Sequence, residues 1–339
     1  MGKTRIELID MLRGFAAIAM IIGHSIIGYP INITSIAPFP VIHTVIYAFH
    51  MELFFVLAGV VWHYIDYRSL ILSKAKRLLI PYGVFGVVTL IFHAVGGDAV
   101  HNQLGVLDGV KKMLFYGGNY WFLYTMFIIC MIFPIIAHIE KKIRYFDLIV
   151  AGGVLLIQQF ADITSVFTLS HVVYYLPYFI LGNRVKKYVS EKETMPMGGH
   201  LVLGICLVAA IGYAAFPIEA VSTVKPLKYV CALGFIYPLY LLSMLLIKGA
   251  KKNHALSFLN KLFENCGVYS LQLYLFNPFI LVVVRIILCN ILHIGSPWII
   301  VSTLVISNLA ITLLLCLYVI PYVPILSAIC GMKRKTVSK

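Results

Sequence analysis

The chain has 339 residues, of which 61% are hydrophobic and 12% charged, and its formal net charge is +14. Soluble domains carry about 25% charged residues, so this composition excludes an ordinary soluble domain. Apolar runs recur along the whole length and predict an all-α, polytopic membrane protein with a single domain over residues 1–339. The basic residues lie mainly in alternate connecting segments, as the positive-inside rule describes for membrane proteins, and this argues against a nucleic-acid partner.

About ten membrane spans are predicted, near residues 7–28, 41–63, 78–96, 119–138, 147–162, 169–183, 199–216, 229–247, 267–288 and 298–320. Basic residues concentrate in alternate connecting segments, such as residues 74–77, 141–144 and 184–187. The segments between them hold only Lys111, Lys112, Lys225 and Lys228. By the positive-inside rule both termini are cytoplasmic, and residues 97–118 form a loop on the outer side. The seven cysteines are scattered singly without metal-ligand spacing, so no metal is expected.

The first predicted span contains three ionisable residues, Asp10, Arg13 and His24. Such residues are costly inside a bilayer and mark a functional site by default. Asp10 and Arg13 are three residues apart and share a helix face, so an ion pair in which Asp10 orients Arg13 is predicted. His24 stands about 16 Å farther along the helix axis, near the predicted outer end. The alternative is a purely neutralising ion pair with a lone interfacial histidine.

The second predicted span contains His43, His50 and Glu52. The two histidines are seven residues apart and therefore face one way on a helix. Glu52 lies roughly 16 Å from the start of the span, where its charge needs a partner. Because imidazole beside a carboxylate commonly activates a hydroxyl, His24, His50 and Glu52 are the candidate catalytic residues. Their pairing across two spans is a hypothesis.

A basic cluster, Lys74, Lys76 and Arg77, precedes the third predicted span. Lys74 and Arg77 are three residues apart, which suits binding of phosphates from one helical face. Basic residues also flank the cytoplasmic ends of many membrane helices, and this is the alternative interpretation.

Aromatic and polar residues of three later spans are the candidate substrate contacts. Aromatic rings stack on sugars, although they are also common at membrane interfaces. Polar residues inside a span most often bridge helices. The candidates are Trp121 and Tyr124 in span four, Tyr174 in span six, and Tyr274 and Asn277 in span nine.

In their order and spacing these segments resemble acyltransferase family 3, and within it the fucose 4-O-acetylase-like, polysaccharide O-acetyltransferase branch. The resemblance covers most of the chain. Its segments are Ile9-Asp10-Met11-Leu12-Arg13-Gly14 with His24, the run from Phe49 to Gly59, Lys74–Tyr82, Trp121-Phe122-Leu123, Tyr175–Gly182, and Ser270-Leu271 with Tyr274.

The resemblance implies a multi-pass enzyme of the bacterial cytoplasmic membrane that moves an acetyl group from cytoplasmic acetyl-CoA to a carbohydrate hydroxyl. It implies functional roles for Arg13 and His24, and for Lys74 with Arg77. The chain departs from the branch at three positions. Lys74 stands where the family often has arginine, Glu52 where proline is common, and Asn277 where histidine is common.

The predicted arrangement places Lys74, Lys76 and Arg77 at the phosphates of coenzyme A, with the donor's arm running past Arg13 towards His24. Either the cell-surface carbohydrate or its lipid-linked precursor is the expected acceptor. A carrier or flippase that uses the intramembrane charges as a proton relay is the main alternative. The absence of an internal repeat in the sequence counts against it. A non-catalytic relative is the third possibility, and Asn277 is its best support.

Overall fold

Helices form the regular secondary structure of the residues described by this computed structural model, which are 3–27, 33–96, 105–190, 195–215, 224–332 and 334. No strand occurs in these ranges. The α-helices are α1 (Lys3–Ile26), α2 (Phe39–Tyr47), α3 (His50–Val61), α4 (Tyr67–Lys74), α5 (Ile80–Gly96), α6 (Val106–Tyr116), α7 (Trp121–Glu140), α8 (Phe146–Phe160), α9 (Leu169–Ser190), α10 (Met197–Ala215), α11 (Lys225–Ala250), α12 (His254–Val268), α13 (Ser270–Arg285), α14 (Pro297–Tyr318) and α15 (Pro324–Ile329).

Within the described ranges, 8 helical segments are long and apolar enough to cross a membrane. They are Glu7–Ile26, Phe39–Val61, Tyr67–Ala94, Leu107–Glu140, Met197–Ala215, Pro226–Ala250, Ser270–Ile291 and Pro297–Tyr322. The all-α, multi-span prediction is confirmed, whereas the number ten is not. The predicted span 147–162 coincides with α8, which at 15 residues is shorter than a crossing requires. The predicted span 169–183 lies in α9, which is helical but not among the 8.

The chain divides into two compact units, and the first comprises Met1–Trp62, Tyr178–Tyr274 and Gly295–Ile306. Its core is formed where apolar residues of α1 pack against α3 and α11. The core residues are Leu8, Ile9, Met11, Leu12, Ala16, Leu53, Leu57, Val60 and Ile247. Because one face of α1 is held in this core, the polar side chains of α1 are fixed in position.

Two glycines allow α1 and α12 to pack backbone against backbone. A Cβ atom on Gly14 would collide with the carbonyl oxygen of Phe263, and one on Gly267 would collide with that of Asp10. Small residues permit this close approach of helices within a membrane. The helix α12 was not predicted, because it is amphipathic and lies between apolar runs. It packs directly behind the Asp10–Gly14 segment.

The same device joins α3 to α9 in the first unit. A Cβ on Gly59 would meet the carbonyl oxygen of Phe179, and a Cβ on Gly182 would meet that of Val56. At the end of α3, Asn183 Nδ2 donates to the Gly59 carbonyl at 3.5 Å, and Lys186 donates to the Trp62 carbonyl. A lysine at a helix C-terminus is favourable because the last carbonyl groups carry partial negative charge.

The second unit comprises His63–Pro177, Leu275–Ile294 and Ser307–Lys339. Tyr120 anchors it, because its hydroxyl donates to the Leu275 carbonyl at 3.0 Å and lies 3.4 Å from Thr89 Oγ1. The ring of Phe85 packs edge-to-face against Tyr120 and Phe276, with centroids 6.1 and 5.3 Å away. The prediction of a single domain over residues 1–339 stays a prediction, as does the cytoplasmic placement of both termini.

The prediction of a loop over residues 97–118 is wrong for its second half, which contains α6 and a short 3-10 turn, Gly118–Tyr120. Residues 97–104 lie outside the described residues. The helix ends at Gly117, whose φ of +77° is the left-handed conformation that glycine adopts readily. Its N–H donates to the Lys112 carbonyl. The sequence prediction missed α6 because Lys111 and Lys112 interrupt its apolar character.

Candidate functional site

Three histidines of the first unit surround one phenol ring, that of Tyr47. The Tyr47 ring stacks on His43 at a centroid distance of 4.1 Å. It meets His50 edge-on at 5.1 Å and His24 edge-on at 6.1 Å. His24 is exposed, whereas His50 is buried. The structure thus brings together the predicted histidines of spans one and two, with a tyrosine between them.

The junction between α2 and α3 determines how these rings face each other. The predicted second span breaks at Ala48 and Phe49, so His43 and His50 lie on different helices. His50 Nδ1 lies 2.8 Å from the Ile46 carbonyl oxygen, which can only accept, so Nδ1 carries the proton. In neutral His50 the lone pair is therefore on Nε2. His50 is held with one defined nitrogen available as an acceptor.

The carboxylates of this unit occupy different environments. Asp10 Oδ1 lies 3.4 Å from an Arg13 guanidinium nitrogen, so the predicted ion pair is present. The Arg13 side chain is 25% exposed. Glu52 is buried on α3, at 3% exposure. Its role as a candidate catalytic residue stays a prediction.

In the basic cluster of the second unit, Lys76 and Arg77 lie on a π-helical turn, Ala75–Leu79, and Lys74 is the last residue of α4 before it. In this turn the Ile80 N–H donates to the Ala75 carbonyl, five residues back. A wider turn changes the angle between residues that are three apart, and phosphate binding by Lys74 and Arg77 from one helical face stays a prediction. Lys76 and Arg77 are exposed, and Lys74 is half-buried. In the described part of the chain no carboxylate pairs with these three side chains.

The aromatic candidates of the second unit are packed against other rings. Trp121 stacks on His171 at 4.4 Å and on Tyr175 at 5.5 Å. Tyr174 meets Tyr175 edge-on at 4.8 Å. These contacts use part of each ring surface that a sugar would need. Binding of substrate by Trp121 and Tyr174 stays a prediction.

The remaining aromatic candidates occupy different units. Tyr124 stacks on Tyr82, with ring centroids 5.3 Å apart, in the second unit. Tyr274 belongs to the first unit and is half-buried on α13. Their substrate roles also stay predictions.

A cavity of about 60 Å³ lies in the second unit between α5, α6 and the turn that precedes α7. Its polar lining groups are Tyr82, Thr89, His93, Lys112, Asn119 and Tyr120. Hydropathy does not predict this cavity, because Lys111 and Lys112 make α6 resemble a polar loop. The available signal was Thr89 and His93, which are four residues apart and therefore share one face of α5.

Asn277 of α13 forms an interhelical hydrogen bond with α14. Its Oδ1 accepts from Asn308 Nδ2 at 3.0 Å, and both side chains are buried. The alternative that polar residues of a span bridge helices therefore describes this contact. A substrate role for Asn277 stays a prediction.

Replacing Asn277 with alanine is expected to lower the thermal unfolding temperature of the purified protein, because the Asn308 amide loses its partner. The cost is about 1 kcal/mol. Asn290→Ala is the matched control, since Asn290 is exposed in the same unit. Equal unfolding temperatures for the two variants would contradict a stabilising role for the Asn277–Asn308 bond.

Tyr47 is the residue that the sequence analysis overlooked most clearly. Its only signal was position, four residues after His43 and three before His50. No group of three or more His, Cys, Asp or Glu side chains among the described residues is arranged to hold a metal ion. Independently of this, the three imidazoles around Tyr47 are groups that commonly transfer protons.

Comparison with known proteins gives one match. A family model described as an acyltransferase domain matches residues 6–317. No curated protein and no solved structure matches the chain. The matched range contains every candidate site residue described above.

Proposed function

Because the chain belongs to acyltransferase family 3 and is a membrane acyltransferase, we propose that it acetylates a hydroxyl of a cell-surface carbohydrate or of its lipid-linked precursor. Acetyl-CoA is the proposed donor, and a bacterial cytoplasmic membrane is the proposed location. The observation that carries this proposal is the exposed imidazole of His24, which lies within a candidate membrane span and beside a cluster of aromatic and imidazole rings. An exposed base at such a position serves chemistry better than it serves packing.

His24 is the proposed general base. Its imidazole takes the proton of the acceptor hydroxyl as the oxygen forms a bond to the acetyl carbonyl carbon. The bond from that carbon to the sulfur of the donor breaks, and His24 returns the proton to the sulfur. Protons and electrons balance, since the hydroxyl hydrogen ends on the thiol. His50, with its lone pair on Nε2, and the buried Glu52 are the proposed supporting groups.

Arg13 is proposed to bind the donor and to be held in place by Asp10. The ion pair holds one guanidinium nitrogen beside Asp10, and the planar guanidinium is a group that suits anionic and carbonyl ligands. Since α12 packs against the backbone of this segment, the pair has little freedom to move. A guanidinium that is already held in position avoids the entropic cost of ordering a long side chain when acetyl-CoA binds.

Lys74, Lys76 and Arg77 are proposed to bind the phosphates of the donor. Their fit to phosphate rests on charge and access, because two of the three are exposed and none pairs with a carboxylate in the described ranges. Ammonium and guanidinium groups form charge-assisted hydrogen bonds with phosphate. The π-helical turn spreads the three side chains over a wider arc than an α-helix would, which suits a ligand with several phosphate groups.

Loss of the Arg77 charge is expected to weaken acetyl-CoA binding by about tenfold, since one charge-assisted hydrogen bond contributes about 1.5–3 kcal/mol and solvent screening reduces that value here. Binding of acetyl-CoA to the full-length protein in detergent would be measured by calorimetry for the wild type and Arg77→Ala. Lys251→Ala is the matched control, because Lys251 is an exposed cation in the first unit.

Calorimetric binding of acetyl-CoA, combined with an assay of thiol release, also tests the proposed function. Binding in the wild type, release of free thiol with time, and weaker binding in Arg77→Ala alone would support an acetyl-CoA-dependent enzyme. No binding by the wild type would contradict acetyl-CoA as the donor. Binding that is equally weakened in Lys251→Ala would show a general charge effect and would contradict the role of the π-helical turn.

A further inference from the structure

Tyr47 lies at the centre of the histidine cluster of the first unit, and we propose that it is the positioning residue that holds the His24 imidazole in the orientation needed for proton transfer. This inference rests on the proposed acyl transfer. Its basis is the set of ring contacts that Tyr47 makes with His24, His43 and His50, at 6.1, 4.1 and 5.1 Å between centroids.

Gly23 provides the space that brings the Tyr47 ring next to His24. A Cβ atom on Gly23 would lie 2.9 Å from Tyr47 Cε2 and 3.1 Å from Ile46 Cγ2. Both distances are shorter than ordinary carbon–carbon contact, which is about 3.5–4.0 Å. Glycine at residue 23 therefore leaves room for the Tyr47 and Ile46 side chains beside α1. Because Gly23 directly precedes His24, the space that accommodates the Tyr47 ring lies next to the proposed base.

The other two histidines hold Tyr47 from the side of α2 and α3. The His43 ring is nearly parallel to the phenol, at an interplanar angle of 28°, and therefore limits rotation of the ring. The His50 ring meets the phenol at 69° and is itself fixed by its bond to the Ile46 carbonyl. Tyr47 is consequently restrained on one side by Gly23 and on another by two imidazoles.

Edge-to-face geometry explains how Tyr47 acts on His24. The two rings meet at 70°, an arrangement in which the electropositive edge of one ring faces the electron-rich face of the other. This contact restricts the His24 side chain, which is otherwise exposed. A base that is restricted in this way is more often in the position needed to accept the hydroxyl proton. A misplacement of about 1 Å can cost about 100-fold in rate.

The Tyr47 ring, rather than its phenolic hydroxyl, makes the contact with His24. The proposal therefore predicts that phenylalanine substitutes for Tyr47 and that an aliphatic side chain does not.

The test compares Tyr47→Phe, Tyr47→Leu and Gly23→Ala with the wild type and His24→Ala. Free thiol released from acetyl-CoA by the full-length protein in detergent, with water taking the acetyl group where no carbohydrate is supplied, is measured as a function of acetyl-CoA concentration. We expect kcat to fall by about 10- to 100-fold in Tyr47→Leu and Gly23→Ala, with KM for acetyl-CoA within about threefold of the wild type. Tyr47→Phe should keep kcat within about threefold. Tyr318→Leu is the control for losing an exposed tyrosine from a helix of the second unit.

Two outcomes would overturn the positioning role. Wild-type kcat in Tyr47→Leu would show that the ring is dispensable, and an equal loss in Tyr47→Phe would assign the effect to the hydroxyl. Gly23→Ala keeps the proposal testable if Tyr47→Leu does not fold, because it retains Tyr47 in the sequence but displaces its ring from His24. No thiol release by the wild type, with either water or a carbohydrate hydroxyl as the acceptor of the acetyl group, would instead refute the proposed function and this inference with it.

Discussion

Replacement of His24 by alanine is expected to reduce thiol release from acetyl-CoA by about 10²- to 10⁴-fold, the contribution typical of a positioned general base. Binding of acetyl-CoA should be largely unchanged, because the proposed phosphate-binding residues are not altered. The physical reason is that alanine removes the exposed imidazole without touching the core face of α1. Turnover and calorimetric binding, measured on the same preparation, separate the two effects.

The control for His24→Ala is His138→Ala. His138 is exposed near the end of α7 in the second unit and has no proposed role. Its variant should hydrolyse acetyl-CoA like the wild type. Wild-type turnover in His24→Ala would contradict the assignment of His24 as the base, whatever the result for acetyl-CoA binding.

A second large effect is expected on stability, from Gly267→Ala. The added methyl group would collide with the Asp10 carbonyl oxygen, and backbone atoms cannot move aside as a flexible side chain can. The helices α1 and α12 would have to separate, at a cost of about 3 kcal/mol or more. We expect a lower unfolding temperature and a lower yield of folded protein. Activity should fall as well, because the Asp10–Arg13 pair lies at the contact.

The matched control is Gly204→Ala on α10, where a Cβ would meet no atom within 4 Å. Alanine has a higher helix propensity than glycine, so this variant should be unchanged or more stable by up to about 1 kcal/mol. The two substitutions are chemically identical, but Gly267→Ala is expected to lower the free energy of unfolding whereas Gly204→Ala is expected to leave it unchanged or raise it. Similar unfolding temperatures for Gly267→Ala and the wild type would contradict the close packing of α1 on α12.

The carrier alternative and the enzyme predict different consequences of these variants. A carrier that relays protons through Asp10, Arg13 and His24 has no need of acetyl-CoA. An acyltransferase releases one thiol for each acetyl group that leaves the donor. The family assignment favours the enzyme, and loss of thiol release in His24→Ala would connect that assignment to a particular residue.

Some features of the site follow from the sequence because they are local to one helix. The pairing of Asp10 with Arg13 is an i, i+3 contact, which helical geometry imposes wherever both residues lie in one helix. Apolar runs of sufficient length identify most of the spans, since a bilayer requires about 20 apolar residues to cross it. The family resemblance depends on residue order alone, and the family match over residues 6–317 confirms it.

Local reasoning fails where the helix itself changes. The π-helical turn at Ala75–Leu79 and the break between α2 and α3 both alter which residues share a face. Neither is signalled by hydrophobic periodicity, which assumes one regular turn throughout. Amphipathic α12 escapes an apolar-window search for the complementary reason, since its charged residues lower the mean hydropathy.

The sequence by itself determined the class of protein, most of its spans, the charged residues within them and its family, because these depend on composition and on contacts within one turn of helix. Only the tertiary structure decided that Tyr47 stands beside His24, that α12 packs on Gly14, and that Asn277 bonds to Asn308. Contacts between helices depend on how closely two backbones can approach. That distance is set by side chains far apart in the chain, such as Gly14 and Gly267, whose partnership no local pattern reveals.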